Sequence, residues 1–197
     1  MFQLKNKLIN RVILKLTKLI PSELPLIILR GPLKGKRMIT GAPAGVGKGI
    51  SLLLHLSEPE RLDIITQHVK KTDLCFDIGA NVGINSILLA KYGRYVYCFE
   101  PLPKNISYLY RMLRINRVMN AVIVPSAVSN VNKLSWFKVE KRGIHGKIDK
   151  MGDQPVSVIT IDEFAKKSNT YPTILKIDVE GNELKVLKGA IKTIESS

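Results

Sequence analysis

Three short acidic stretches, each closing an apolar run, carry the residues best suited to chemistry. The first is Asp77-Ile78-Gly79-Ala80-Asn81-Val82-Gly83, between the apolar run Leu74–Ile78 and a helix-like pattern. Glycines belong where a chain turns sharply or where backbone must touch a ligand, because a Cβ would intrude. Strand, tight glycine turn and helix form a nucleotide crevice at the carboxyl ends of a doubly wound sheet. An acid directly before the turn would repel a pyrophosphate, which a helix N-terminus otherwise attracts, and the triple-glycine dinucleotide fingerprint is missing. S-adenosylmethionine carries a sulfonium and an ammonium and no phosphate, so Asp77 suits it. Glu100 closes the next apolar run, Tyr95–Phe99. It stands roughly 20 residues beyond the turn, where a carboxylate accepts from both ribose hydroxyls. The alternatives are a helix-capping role for Asp77 and an exposed loop acid at Glu100.

The third stretch is Ile174-Leu175-Lys176-Ile177-Asp178-Val179-Glu180-Gly181. A buried parallel strand is nearly all apolar, yet Lys176, Asp178 and Glu180 alternate onto one side, and buried charges must be paired or functional. The scaffold reading has Lys176 neutralising Asp178; the functional reading has Asp178, with Glu180 as second choice, acting as base or positioning an acceptor hydroxyl. His145, in a polar loop over 141–154, is another base candidate, although a lone loop histidine is more often exposed. Ala42-Pro43-Ala44-Gly45-Val46-Gly47-Lys48-Gly49 mimics a phosphate-binding loop but places Gly49 where magnesium needs a hydroxyl. Asn105-Ile106-Ser107 is a glycosylation sequon only by chance, and no metal site is expected.

The elements that must position these residues alternate from Asp73 onward, which argues for a parallel sheet with helices on both faces. Strands are expected at Leu74–Ile78, Tyr95–Phe99, Ala121–Val124, Leu134–Val139, Val156–Thr160 and Ile174–Val179. Helices are expected at Ile84–Tyr92 (Ile84, Ile87, Leu88 on one face), from Pro103 (burying Ile106, Leu109, Tyr110, Leu113), at 161–168, and last a helix burying Leu184, Leu187, Ile191 and Ile194. Upstream, residues 2–20 form a basic amphipathic segment, 26–56 a Gly- and Pro-rich loop or β cap, and about 58–70 a short helix with Ile64, Ile65 and Val69 inside. The domain division is 1–56, the basic helix and cap, and 57–197, the cofactor-binding domain.

The formal charge is +15, from 31 Lys and Arg against 16 Asp and Glu. Such a field attracts anions: an acidic lipid surface, a phosphorylated substrate, or nucleic acid. Residues 2–20 would suit a membrane surface, but an ordinary helix packed on its own domain has the same pattern and is the favoured reading. The basic residues are scattered rather than gathered in an aromatic-interleaved stripe, which disfavours nucleic acid. Cys75 and Cys98 read as reduced core thiols. With no apolar run near the roughly 18 residues that span a bilayer and no signal-peptide pattern, the expected location is cytoplasmic, peripheral to a membrane if residues 2–20 bind one.

Phe76-Asp77-Ile78-Gly79-Ala80-Asn81-Val82-Gly83, Phe99-Glu100-Pro101, and Leu175-Lys176-Ile177-Asp178-Val179-Glu180-Gly181-Asn182-Glu183 with Val186-Leu187-Lys188-Gly189-Ala190 together resemble the FkbM type of class I methyltransferase. The first two motifs are widespread in class I enzymes and the third is more specific. The resemblance covers roughly 57–195. It implies a doubly wound, mostly parallel Rossmann-like α/β sheet flanked by helices, and S-adenosylmethionine as cofactor. Asp77, Gly79, Asn81 and Gly83 would cradle its methionine end and Glu100 its ribose. Ser126 and Ala127 would lie against its adenine, with Asp178 facing the methyl group. It further implies O-methylation of a sugar or small metabolite. The rivals are an RNA methyltransferase and an inactive fragment. The class I sheet has seven strands in the order 3-2-1-4-5-7-6, and the sequence provides no material for the last three. The fourth strand is therefore expected to be an open edge, covered by a second chain or by the N-terminal segment.

Overall fold

The computed structural model describes residues 21–41, 50–55, 59–139, 146–148 and 152–196. The amphipathic segment 2–20, the glycine-lysine stretch 42–49 and His145 lie outside them. The chain divides into two compact units, Met1–Gln67 and His68–Ser197.

In the first unit, β1 (Pro25–Ile27) and β2 (Arg37–Ile39) form an antiparallel hairpin with Leu26 opposite Met38 and Ile27 opposite Arg37. One face carries Met38 into a small core with Ile28 and Leu33; on the other, Ile27 is exposed. Helix α1 (Ile50–Leu53) is tied to the hairpin by Leu29 N–H donating to the Leu53 carbonyl at 2.9 Å. Helix α2 (Pro59–His68) buries Leu62 and Ile65, and Val69 beyond it is buried too. The expected inner residue Ile64 is 57% exposed. The i, i+3, i+7 row through Leu62 is the inward one, and Ile64 lies off it.

The second unit alternates as the pattern requires: β3 (Leu74–Ile78), α3 (Ile84–Tyr92), β4 (Tyr95–Phe99), α4 (Pro103–Ile115) and β5 (Ala121–Val124). Next come β6 (Ala127–Val128), β7 (Lys133–Val139), β8 (Gly146–Ile148) and β9 (Gln154–Ile159). The unit closes with α5 (Ile161–Ser168), β10 (Ile174–Ile177), α6 (Glu183–Lys188) and α7 (Ile191–Glu195). The main sheet is parallel, in the order β10-β3-β4-β5, which is the expected arrangement of the first four strands with β10 at the edge. A second sheet, β6-β9-β7-β8, places a strand, β8, inside the stretch read as a polar loop.

One face of β3 sends Leu74, Phe76 and Ile78 into a core with Phe99, Val128, Ile161, Val186 and Ala190. Phe76 meets the rings of Tyr97, Phe99 and Phe164 at 5.3, 5.3 and 5.6 Å, edge-on or tilted, the favoured arrangement for aromatic pairs. The other face of β3 carries Cys75 and Asp77. The parallel register sets Lys176, Asp77 and Cys98 in one row across three strands. Both cysteines are wholly buried and free, and burial, reinforced by nearby aspartates, pushes their thiols up to about 12.

Two helices bury the expected face only in part, and the C-terminal segment turns a different one inward. Helix α3 buries everything from Asn85 to Ala90 and leaves Ile84 half-buried. Helix α4 buries Asn105, Leu109, Met112 and Leu113 while Tyr110 is 53% exposed, because its inward stripe includes Asn105, which bonds a buried acid. The expected last helix is two helices. It breaks at Gly189–Ala190, where a Cβ on Gly189 would stand 2.2 Å from the Ser129 carbonyl. Val186, Ala190 and Thr193 pack inward, whereas Leu184, Leu187, Ile191 and Ile194 are 43 to 66% exposed. Smaller side chains let these short helices approach the sheet closely.

Candidate functional site

The carboxyl ends of β3, β4 and β10 bring together most of the residues singled out from the sequence. Asp77, the fourth residue of β3, is fully buried. Its Oδ2 accepts from Ser86 Oγ of α3 at 2.6 Å, and its Oδ1 lies 2.9 Å from Lys176 Nζ, an ion pair without hydrogen-bond alignment. Asp77 therefore does not cap the helix, whose N-cap is Gly83.

The turn that follows is pinned to β4. The N–H groups of Gly79 and Ala80 both donate to the Phe99 carbonyl, at 3.0 and 2.9 Å. The two glycines are needed for reasons internal to the protein. Gly79 has φ +79°, and a Cβ there would stand 2.0 Å from the Asp178 carbonyl; Gly83 has φ +92°, and its Cβ would meet Leu109 at 2.5 Å. The glycine turn thus lets β10 and α4 close on β3. Asn81 takes a left-handed φ of +51°, which asparagine tolerates. Its side-chain Oδ1 is buried without a hydrogen-bond partner, as is Oδ1 of Asn85.

Glu100 is 4% exposed, not a surface acid. Its Oε2 accepts from Asn81 N–H at 2.9 Å; its Oε1 accepts from Leu102 N–H at 3.0 Å and from Asn105 Nδ2 at 3.1 Å. Burial pushes its carboxyl up, and these three donors oppose that shift. A carboxylate offers about four acceptor positions, so room for a further donor remains. Ser126 and Ala127 follow β5 and are both buried; Ala127 opens β6 and packs in a cluster with Leu102, Phe137, Val156 and Val158.

At the end of β10 the charges part company. Asp178 continues the ladder through its N–H to the Ile78 carbonyl at 3.0 Å, and its side chain is 44% exposed. Glu180 leaves the alternating row: at φ +53°, before Gly181 at φ +91°, the chain has turned and the side chain is exposed. Lys176, expected to neutralise Asp178, lies 3.8 Å from that carboxylate and closer to Asp77; it also donates to the Gly79 carbonyl at 3.0 Å. The register explains this, since Lys176 stands opposite Asp77.

Four further residues hold the site and were not singled out for it: Ser86, Asn85, Asn105 and Glu183. Glu183 Oε1 accepts from the N–H groups of Val179 at 3.2 Å and Gly181 at 3.1 Å, folding the loop after β10 back on the first turn of α6. Those bonds, with one from its own N–H, hold its carboxyl below the usual range. An acid in a first helical turn is a readable signal, and so is Asn105, a polar residue on the buried stripe of α4. Ser86 gives none, because its contact joins a strand to a helix.

The donor set fits a cationic cofactor. Asp77, Glu100 and Asp178 against Lys176 give a formal balance of −2, and the unpartnered amide oxygens of Asn81 and Asn85 are acceptors awaiting donors. The cluster's lysine is already committed to Asp77 and a carbonyl, which leaves it poorly suited to a pyrophosphate.

Comparison with known proteins identifies the family and the fold. Over 145 residues, 71% of this chain, the sequence is 24% identical to the hexuronic acid methyltransferase AglP of Haloferax volcanii, of which the match covers 59%. The crystal structure of the methyltransferase FkbM from Methylobacillus flagellatus KT superposes on 78% of this chain with a TM-score of 0.50 and 20% identity. That match covers 42% of the solved chain, so the present chain spans about half the length of these relatives. The structural likeness supports a Rossmann-like α/β fold. Residues 77–197 match the methyltransferase FkbM domain, and the chain belongs to that family.

Proposed function

We propose that this chain binds S-adenosylmethionine at the carboxyl ends of β3, β4 and β10, in a crevice between the residues gathered there, and contributes to O-methylation of a sugar hydroxyl, on an acidic sugar. The carrying observation is the division of the acids: Asp77 and Glu100 are sealed in the wall, and Asp178 stands beside them with its side chain 44% exposed. When bound, the cofactor supplies an electrophilic methyl group on a sulfonium sulfur. Asp77, Asn81, Asn85 and Glu100 would hold it, with Ser126 and Ala127 on its adenine side. Because methyl transfer is an in-line displacement, alignment is the main task of the protein. Asp178 positions the acceptor hydroxyl and takes its proton as the oxygen attacks; Glu180 is the second choice for that role. A hexuronic acid acceptor is supported by the named activity of the Haloferax relative and by a formal charge of +15, which draws in anionic substrates.

The test is Asp178→Ala, assayed on a uronic acid-containing glycan and by calorimetric titration of the cofactor. Binding should hold within about threefold while turnover falls about 10² to 10⁴-fold. Equal loss of both would remove Asp178 from the chemistry, and salt-sensitive RNA binding would favour RNA as the acceptor.

Attachment to a membrane surface is proposed as well. Residues 1–57 hold ten Lys and Arg against the single acid Glu23. In the hairpin unit Leu24, Ile27 and Leu29 are 41, 53 and 57% exposed, with Ile27 directly opposite Arg37. Exposed aliphatic side chains among cations suit an anionic membrane surface. Sedimentation with phosphatidylserine vesicles but not phosphatidylcholine vesicles is expected, with loss on deleting residues 2–20; equal sedimentation with both would refute it.

A further inference from the structure

The reading above employs the acids of the crevice and leaves its buried cation without a task. Lys176 is 11% exposed, and its Nζ reaches Asp77 Oδ1 at 2.9 Å, the Gly79 carbonyl at 3.0 Å and Asp178 Oδ2 at 3.8 Å. Burying an ammonium is costly unless it is paired, and Asp77 alone would pair it. The other two contacts reach further: one fixes a carbonyl of the glycine turn, the other faces the exposed acid at the exit of β10. The lysine therefore touches the cofactor side and the acceptor side of the crevice at once.

We propose that Lys176 is a positioning residue that sets the charge of the cofactor crevice. This rests on the S-adenosylmethionine reading and deepens it. Three carboxylates without the lysine would give −3 in place of −2. Carboxylates near a sulfonium stabilise the reactant, and that stabilisation is lost as the positive charge disappears during methyl transfer, so excess negative charge raises the barrier. Lys176 tempers that field while holding Gly79 and Asp178 in fixed relation. The crevice then favours the charged cofactor over its neutral thioether product, S-adenosylhomocysteine, only moderately.

The experiment is calorimetric titration of both ligands into the wild type, Lys176→Met, Lys176→Arg, Asp77→Asn and the Asp77→Asn/Lys176→Met double variant. One unit charge acting over a separation on the order of 10 Å in an effective dielectric near 20 corresponds to roughly a tenfold change in affinity for a cation over its neutral counterpart. Lys176→Met should raise the preference for S-adenosylmethionine over S-adenosylhomocysteine about tenfold, and Asp77→Asn should lower it about tenfold. The double variant should return to the wild-type ratio, as should Lys176→Arg. A purely structural lysine would weaken both ligands equally and leave the ratio unmoved, which would overturn the inference. Should Lys176→Met alone fail to fold, the same tenfold rise must appear when it is added to Asp77→Asn, where the buried pair is removed together. A wild-type chain that binds both ligands with an unmoved ratio in the variants sinks only the role of Lys176. A wild-type chain that binds neither overturns the cofactor reading as well.

Discussion

Glu100 and Glu183 hold two sides of the site at the carboxyl end of the main sheet by the same device, each accepting from backbone N–H groups of a loop: Asn81 and Leu102 for the first, Val179 and Gly181, beside its own, for the second. Their carboxyls nevertheless shift in opposite directions. Glu100 is sealed under the glycine turn, and desolvation raises it despite its donors; Glu183 stays near water, and its donors lower it. The difference separates a dry wall from a wet one. Asp77, Asn105 and Ser126 share the dry side with Glu100, whereas Asp178, Glu180 and Gly181 are exposed beside Glu183. A dry wall suits a cofactor that always has the same shape, and a wet one suits an acceptor that must come and go.

The contrast can be broken where the two sides touch. Gly79→Ala forces a Cβ into the Asp178 carbonyl at a positive φ, and strain plus overpacking should cost about 4 kcal/mol in urea unfolding. A loss below about 1 kcal/mol would show that the sides are not in rigid contact. Asp77→Asn leaves the Lys176 ammonium without its buried counter-charge and should cost about 3 kcal/mol by the same assay. On the wet side, Asp178→Ala removes a carboxylate from an exposed position and should move stability by no more than about 0.5 kcal/mol. A larger loss would make Asp178 part of the scaffold.

Titration sharpens the comparison without substitution. A raised carboxyl in the folded state means that Glu100 supports the fold fully below its ordinary value near 4.5, and that this support is lost as pH rises through the folded-state value. Glu183 has the reverse sign: its contribution is present above about 4.5 and is lost as pH falls through the lowered value. Carbon NMR of the two side-chain carboxyls should therefore place their midpoints on opposite sides of 4.5. Midpoints on the same side would erase the distinction between the walls.

Much of this was legible beforehand, for identifiable reasons. Periodicity and turn chemistry located β3, α3 and β4 to the residue, alternation implied a parallel sheet, and the order of the four main strands is what the family resemblance implied. The acids at 77, 100 and 178 were visible because charge at the end of an apolar strand is unusual. Helix faces were harder. In α4 the inward stripe keeps Leu109 and Leu113 but takes Asn105 and Met112 in place of Ile106 and Tyr110, because Asn105 has a buried partner; in the C-terminal helices Val186, Ala190 and Thr193 pack in place of the larger apolar residues. Lys176 does pair with Asp178, as alternation along one strand suggests, but its closer partner is Asp77, which only register across two strands selects. Alternation places Glu180 with them, but β10 ends at Ile177 and Glu180 is itself left-handed.

The paired thiols of the main sheet give the molecule a built-in clock. Cys75 and Cys98 are wholly buried on adjacent strands, and at about 12 their thiolates are scarce at neutral pH. An aromatic disulfide reagent can react with either only when strands part, so the rate of colour release reports how often this region breathes. Adding cofactor to such a reaction would reveal, with no engineered label, whether occupancy of the crevice tightens the strands that form its floor.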